Sequence, residues 1–305
     1  MKKIVQILGP TGVGKSSVSV ELARRIGGEI ISADSMQVYK NFDIGTDKIR
    51  PEDMEGIPHY LLDIIDDCSQ FNASIFLEKS FALAEEIVGR DRIPITCGGT
   101  ALYLKTMIRG IFPEEKEKKV SRDELNEMVA EKGLDHMFQR LKEVDPAYAE
   151  KIRENDRVRI VRGMEIYLNN GIPPSEMFKK TRSPFEEYSF IRIGLNMERA
   201  AIYKRIERRV DRMMERGLVD EVKWLRGKYP DWCPPFKSLG YKEVMQVLNG
   251  ELEYDAAVAL IKQRSRNFAK RQLSWFRQEK DIHWFNPRQI NEIHELVKKE
   301  LWNDQ

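Results

Sequence analysis

This chain of 305 residues predicts an α/β fold: a P-loop NTPase-like parallel sheet flanked by helices, with a helical insertion domain. Three observations predict it. Gly9-Pro10-Thr11-Gly12-Val13-Gly14-Lys15-Ser16 fits G-x-x-x-x-G-K-[ST], between the apolar run Ile4 to Leu8 and a segment of helical spacing, Val18, Leu22 and Ile26. Strand-like and helical stretches then alternate as far as Arg109, which argues for a parallel sheet covered on both faces. From Ser121 to about Pro184 only helical patterns remain. The expected division is therefore 1–112 for the first part of the core, 113–188 for the insertion and 189–305 for the rest of the core.

The loop carries the first chemistry. Gly9, Gly12 and Gly14 let the backbone turn tightly and aim successive N–H groups at phosphate oxygens. Lys15 adds a point charge, the Ser16 hydroxyl can reach a magnesium ion, and the N-terminus of the following helix favours an anion. An ordinary glycine turn is the bland alternative. The strand-loop-helix context favours a phosphorylated ligand.

In chain order, Gly27-Gly28 stops the first helix and Glu29 to Ala33 reads as a second strand, with Asp34-Ser35-Met36-Gln37-Val38-Tyr39 just past its end. Ligands sit at that edge of open α/β sheets. A loop containing Ile44-Gly45-Thr46 and Pro58-His59-Tyr60 follows, and then an amphipathic helix from Asn72 to Val88. Ile93 to Cys97 is a strand of the buried type, and Gly98-Gly99-Thr100 leads into a helix from Ala101 to Arg109. Pro113 to Lys119 is a charged connector. Beyond it, Ser121 and Glu124 form a capping box with a stop at Gly133, a second helix begins near Asp135, and a third spans Asp156 to Asn170 before Gly171. Strand pattern returns at Phe190 to Leu195. Helices follow over 198–216, 218–226 and 254–280, with a last strand at Ile282 to Phe285 and a closing helix from Gln289 to Trp302.

Composition narrows the class. Hydrophobic content of 41% and charged content of 33% describe a globular protein with ample core. No apolar run approaches the ~20 residues needed to cross a bilayer. Met1-Lys2-Lys3-Ile4 goes straight into a strand, so a signal peptide is not expected. Cys68, Cys97 and Cys233 are far apart and suggest neither a zinc site nor a disulfide, so a reducing cytoplasm is expected. The net charge of +2 hides an asymmetry: eight acidic against two basic residues over 41–70, but seven basic against four acidic over 198–216 and seven against two over 254–280. A local basic excess suits a polyanion, though a solvated helix face has the same composition.

Asp34 lies past the second strand in line with the loop's ligand, where a carboxylate can accept a proton or hold magnesium through water; a turn or helix-cap role is equally open. Thr100 either caps the next helix or offers its hydroxyl to the pocket. No strand ends in the apolar run plus Asp of a Walker B motif, which argues against a motor or switch NTPase. Arg157, Arg159 and Arg162 cluster on one helix, Arg205, Arg208, Arg209 and Arg212 on another, and Lys262, Arg266 and Lys270 stack on the longest beside Phe268, Trp275 and Phe276. Such stripes suit a nucleic-acid backbone and unstacked bases, although helical aromatics are more often core.

Taken together, the sequence resembles the tRNA dimethylallyltransferases (tRNA isopentenyltransferases) in their bacterial form. The matching stretches are Gly9–Ser16, Ile31–Tyr39 continuing to Ile44-Gly45-Thr46, Gly98–Tyr103, Asn155–Arg162, Gly217–Val222, Ser238–Glu243 and Ala269–Arg277. A P-loop alone is shared by many families. The D-S-M-Q-V-Y and K-R-Q-L-x-W-F-R stretches together are specific. The resemblance implies transfer of a dimethylallyl group from dimethylallyl diphosphate to N6 of a flipped-out adenine beside the tRNA anticodon. It implies that Thr11 to Ser16 bind the diphosphate with help from Arg205, that Asp34 is the general base with Lys15 and Thr100 beside it, and that magnesium is the ion. It also implies that Asp34, Ser35, Met36, Gln37, Thr100, Arg122, Val158, Arg159, Ile160, Val161 and Arg162 face the tRNA. A monomer in the cytoplasm is expected, and whether ATP also binds the loop stays open. Val158 replaces a common Gln, Asn267-Phe268 replaces a basic-aromatic pair, and a zinc-finger extension of the eukaryotic type is not expected.

Three rivals stay in view: a P-loop kinase whose lid is the helical insertion, an enzyme prenylating free AMP or ADP, and an RNA-binding protein with a vestigial loop. Intact Lys15 and Ser16 argue against the last.

Overall fold

The computed structural model describes residues 1–112 and 119–302. The connector expected from Pro113 to Lys119 lies outside the described residues apart from Lys119. The chain divides into two compact units, one of Met1–Ile108 with Pro184–Gln305 and one of Arg109–Ser183.

The first unit opens with β1 (Lys2–Leu8), α1 (Lys15–Ile26), β2 (Gly28–Ser32), β3 (His59–Tyr60), α2 (Ala73–Val88), β4 (Ile93–Gly98) and α3 (Ala101–Arg109). The second unit holds α4 (Arg122–Lys132), α5 (Leu134–Val144), α6 (Pro146–Ala149), α7 (Arg157–Asn170) and α8 (Pro174–Met177). The first unit then resumes with β5 (Tyr188–Leu195), α9 (Arg199–Glu215), α10 (Leu218–Lys228), α11 (Tyr241–Leu248), α12 (Tyr254–Phe276), β6 (His283–Phe285) and α13 (Ile290–Trp302).

The sheet runs β3-β2-β4-β1-β5-β6, and every pairing is parallel. Parallel strands need helical crossovers that cover both faces, so the central strands are rich in buried aliphatic residues, among them Ile4, Val5, Ile7, Leu8, Ile30, Ile31 and Ile95. Val18, Leu22, Ala23 and Ile26 of α1 and Ile293 and Val297 of α13 pack on one face. Each fully buried aliphatic side chain contributes about 1.5–3 kcal/mol. Asn72 caps α2, accepting from Ser74 N at 2.9 Å and Ile75 N at 3.0 Å.

Several short elements escaped the sequence: β3, α6, α8 and α11. His59–Tyr60, expected as loop, forms an edge strand on β2 because Ile30 and Ile31 offer it ladder partners. A strand this short has no periodicity to detect. Helix α11 has Gly240 before it, whose N–H is held by Glu243 Oε2 at 2.8 Å.

The expectation of no disulfide is overturned. Cys68 and Cys233 are joined across 165 residues of sequence, the first from the loop before α2 and the second from the loop after α10. Spacing along the chain carries no trace of a pairing that only the fold creates. Among the described residues, no helix is long and apolar enough to cross a membrane.

In the second unit, α4, α5 and α7 enclose Leu125, Val129, Met137, Phe138, Leu141, Ile160, Val161 and Met164. The capping box forms as expected, with Glu124 N to Ser121 Oγ at 3.2 Å and Ser121 N to Glu124 Oε2 at 2.6 Å. Asp156 caps α7 through Arg159 N at 3.2 Å.

Candidate active site

The phosphate loop leaves β1 at Leu8. Gly9 and Gly98 are dictated by crowding: a Cβ on Gly9 would come within 2.6 Å of the Leu195 carbonyl, and one on Gly98 within 2.1 Å of the Ala33 carbonyl. Gly14, at φ 102°, precedes α1 with its backbone against the Arg205 guanidinium. Lys15 Nζ donates to Pro10 O at 3.0 Å and Arg205 Nη1 to Val13 O at 3.1 Å. Both cations rest on the loop's own carbonyls. Among the described residues the N–H groups of Gly12 and Gly14 donate to nothing, as a phosphate cradle requires.

Burial pulls the Lys15 ammonium below the ordinary lysine value, against the opposing pull of Cys97 and Asp34. Incoming phosphate charge restores that cation's preference for its charged form.

Sequence reasoning missed two loop contacts. Gln272 of α12 accepts from Thr11 N at 2.8 Å and donates to Gly99 O at 2.8 Å, clamping the loop to the end of β4. Thr11 N is thereby occupied. Arg209 Nη1 donates to Thr11 Oγ1, and Arg209 Nε pairs with Asp47 Oδ2 at 3.1 Å. Both residues stood in stretches noted for pattern, but their partners are over a hundred residues distant.

Asp34 follows β2 on the same sheet edge. Its Oδ1 accepts from Met36 N at 2.8 Å and Gln37 N at 3.3 Å, while Oδ2 has no partner among the described residues. The turn-residue reading and the catalytic reading therefore coexist: one oxygen holds the turn and the other is open. Gln37 Nε2 reaches Thr46 O at 3.2 Å and Asp47 O at 3.3 Å, and Ser35 and Met36 are half-buried beside it. Thr100 is brought to Asp34 by its N–H, which donates to Ala33 O at 3.3 Å. Its hydroxyl bonds no described residue, so it does not cap α3.

The basic stripes divide. Lys262 pairs with Asp211 at 2.5 Å and Arg266 with Glu207 at 2.7 Å, which ties α12 to α9. Phe276 is core, Trp275 carries the Lys105 ammonium 4.9 Å from its ring, and Phe268 and Lys270 are exposed. Much of this basic face holds helices together.

In the second unit, Arg122 and Arg162 converge on Glu165, at 2.8 Å each. Burial pushes the Glu165 carboxyl up, but hydrogen bonds from Arg162 and Arg122 outweigh it and hold the group at about 2. Arg159 is exposed, with Asp156 3.5 Å away, and Val158 is 79% exposed. Ile160 and Val161 need correction as tRNA-facing side chains. At 0% and 3% exposure they belong to the core of this unit, packed with Leu125, Leu141 and Met164, while Val158 and Arg159 are exposed.

Magnesium fits the loop in one way. Among the described residues no group of three His, Cys, Asp or Glu side chains could hold a metal. The Ser16 hydroxyl is exposed and bonds no described residue, so it offers one oxygen while phosphate and water supply the rest.

Two family models match, "IPP transferase" over residues 37–279 and "Isopentenyl transferase" over residues 2–67. A tRNA dimethylallyltransferase of Carboxydothermus hydrogenoformans is 42% identical over 286 residues, covering 93% of this chain and 92% of the relative. One from Halothermothrix orenii is 43% identical over 285 residues, covering 93% and 87%. Among solved structures, a tRNA isopentenylpyrophosphate transferase from Bacillus halodurans aligns with TM-score 0.74 at 39% identity, covering 99% of this chain and 97% of that one. A eukaryotic dimethylallyltransferase acting on tRNA aligns with TM-score 0.78 at 32% identity, covering 94% and 74%. On the family model spanning residues 37–279 and relatives 42–43% identical over 93% of its length, the chain belongs to the tRNA dimethylallyltransferase family.

Proposed function

We propose that this tRNA-prenylating enzyme transfers the dimethylallyl group of dimethylallyl diphosphate to N6 of an adenine adjacent to the anticodon, with Asp34 as general base. The observation that carries the proposal is the half-engaged carboxylate: Oδ1 fixed by two backbone N–H groups, Oδ2 open, on the sheet edge beside the phosphate loop.

In the reaction the N6–C1 bond forms, the allylic C1–O bond breaks, and the N6 proton passes to Asp34 Oδ2. The exocyclic amine is a poor nucleophile because its lone pair is delocalised into the ring, so a proton acceptor at bond formation contributes. The leaving diphosphate settles on the Gly12 and Gly14 amides, Lys15 and Arg205, which stabilise charge as it develops. Ser16 would hold a magnesium ion, which would add further neutralisation of the diphosphate. Thr100 offers its hydroxyl beside Asp34. A base stacked in RNA cannot enter such a site, so the adenine is flipped out.

Arg159 and the outer N–H groups of Arg122 and Arg162 contact phosphates of the anticodon stem-loop, with Val158 as an apolar contact. The chain works as a monomer, in the cytoplasm where tRNA resides.

The test combines labelled dimethylallyl diphosphate or labelled ATP with tRNA, AMP or no acceptor. Label on tRNA from the prenyl donor alone is expected; robust ATP turnover without prenyl transfer would sink the proposal. Asp34→Asn is expected to lower the single-turnover rate by ~10²–10⁴-fold with substrate binding little changed. A rate within about threefold of the parent removes Asp34 from the mechanism.

A further inference from the structure

Glu221 lies in the first turn of α10, within the Gly217–Val222 stretch that the proposed chemistry leaves without a task. Its carboxylate collects a set of donors from distant parts of the chain. Oε2 accepts from Ile44 N at 2.8 Å and Asp43 N at 3.2 Å, and Oε1 accepts from Gly45 N at 3.3 Å and from the Tyr241 hydroxyl at 2.6 Å. Three successive backbone N–H groups on one carboxylate define a turn as rigidly as a helix cap does. The fit is tight: a Cβ on Gly45 would come within 2.4 Å of the Tyr241 ring.

What the turn carries gives the arrangement its purpose. Thr46 O and Asp47 O, immediately after it, receive Gln37 Nε2 at 3.2 and 3.3 Å. Asp47 Oδ2 also receives Arg209 Nε at 3.1 Å, and the same guanidinium donates to Thr11 Oγ1 of the phosphate loop. One short turn thus touches both the Asp34–Gln37 arm and the phosphate loop, and it is held from behind by one side chain.

We infer that Glu221 is a positioning residue for prenyl transfer: it fixes the 43–47 turn so that Gln37 and the Arg209–Thr11 contact are both in register. The inference rests on the proposed roles of Gln37 toward tRNA and of the phosphate loop toward dimethylallyl diphosphate. Glu221 itself touches neither substrate. Its effect comes through geometry, where a misplacement of about 1 Å costs ~10²-fold in rate. A role in stability alone makes a different prediction, because it lowers Tm and leaves the constants of the folded enzyme intact.

The experiment is steady-state kinetics well below Tm, with dimethylallyl diphosphate and tRNA varied in turn. Glu221→Gln keeps size but replaces one acceptor oxygen with a donor that opposes the turn's N–H groups. It is expected to lower kcat/KM by ~10²-fold with KM raised for both substrates. Glu221→Asp, with the acceptors retained on a shorter stem, is expected to recover part of the loss. Asp47→Asn, on a side chain already 45% exposed, tests the relay without threatening the fold. It is expected to raise KM for dimethylallyl diphosphate and leave KM for tRNA unchanged, and to combine non-additively with Glu221→Gln. Constants within twofold of the parent for Glu221→Gln overturn the inference. So does an unaltered donor KM for Asp47→Asn, which decides the matter if Glu221→Gln does not fold. Gln37→Ala and Lys15→Ala separate the two levels. If they leave both KM values alone, the site reading itself fails; if they respond while Glu221 and Asp47 variants do not, only the relay fails.

Discussion

The phosphate loop and the helical insertion use the same residue types in opposite ways. At the loop, Lys15 rests on the Pro10 carbonyl and Arg205 on the Val13 carbonyl, both neutral acceptors. Their charges are held in place without being cancelled, so an arriving diphosphate can claim them at little cost. In the insertion, Arg122 and Arg162 close on the buried carboxylate of Glu165, whose side chain is 2% exposed. There the cations serve a structural anion first. A basic residue's value to a ligand depends on what it leaves behind when the ligand arrives.

The largest effect that could break this contrast is on the insertion's stability. Replacing both Arg122 and Arg162 by Ala removes two cationic partners of a buried carboxylate, and a loss of about 3–5 kcal/mol is expected in denaturant unfolding. A change under about 1 kcal/mol would mean that Glu165 is solvated and that the two arginines are free for RNA.

At the loop the expectation is reversed. Lys15→Ala should lower kcat/KM for dimethylallyl diphosphate by ~10²–10³-fold, raising KM and lowering kcat together, with unfolding barely altered. A large loss of stability with intact kinetics would show that Lys15 holds the loop and does not serve the diphosphate.

Acid sharpens the comparison further. The Glu165 carboxyl sits near 2 in the folded chain against an ordinary 4.5. A depressed folded value contributes stability that is present above 4.5 and is lost as pH falls from there toward 2. Tm measured across that window should fall more steeply in the parent than in Glu165→Gln. Parallel curves would remove the ion pair from the stability of the insertion.

The smallest effect belongs to Arg159, the exposed cation of α7. Arg159→Glu should weaken tRNA binding and flatten the slope of log affinity against log salt by roughly one unit. Affinity for dimethylallyl diphosphate should not move. An unchanged slope returns Arg159 to a solvated helix face.

Much of the molecule was legible from local pattern. The phosphate loop, α1, the capping box at Ser121, the helix beginning at Asp156 and the strand at Ile93 all follow from spacing over a few residues, because short-range hydrogen bonds and periodic burial are written locally. The paired helices were legible as helices but not as partners. Lys262 and Arg266 read as a polyanion stripe, and the structure gives them Asp211 and Glu207. Ile160 and Val161 fell within a run assigned to RNA, yet a helix turns about 100° per residue, so a continuous run cannot present every side chain to one ligand.

By itself the sequence determined the fold class, the phosphate loop and Asp34 at a sheet edge, since each rests on contiguous residues whose conformations constrain one another. Only the tertiary structure decided that Gln272 clamps Thr11 to Gly99, that Cys68 meets Cys233, and that Glu221 holds the turn before Asp47. These pairings join residues separated by more than a hundred positions. They form because packing of the sheet and its helices closes those distances, and the chain's local energetics are indifferent to which distant partner arrives.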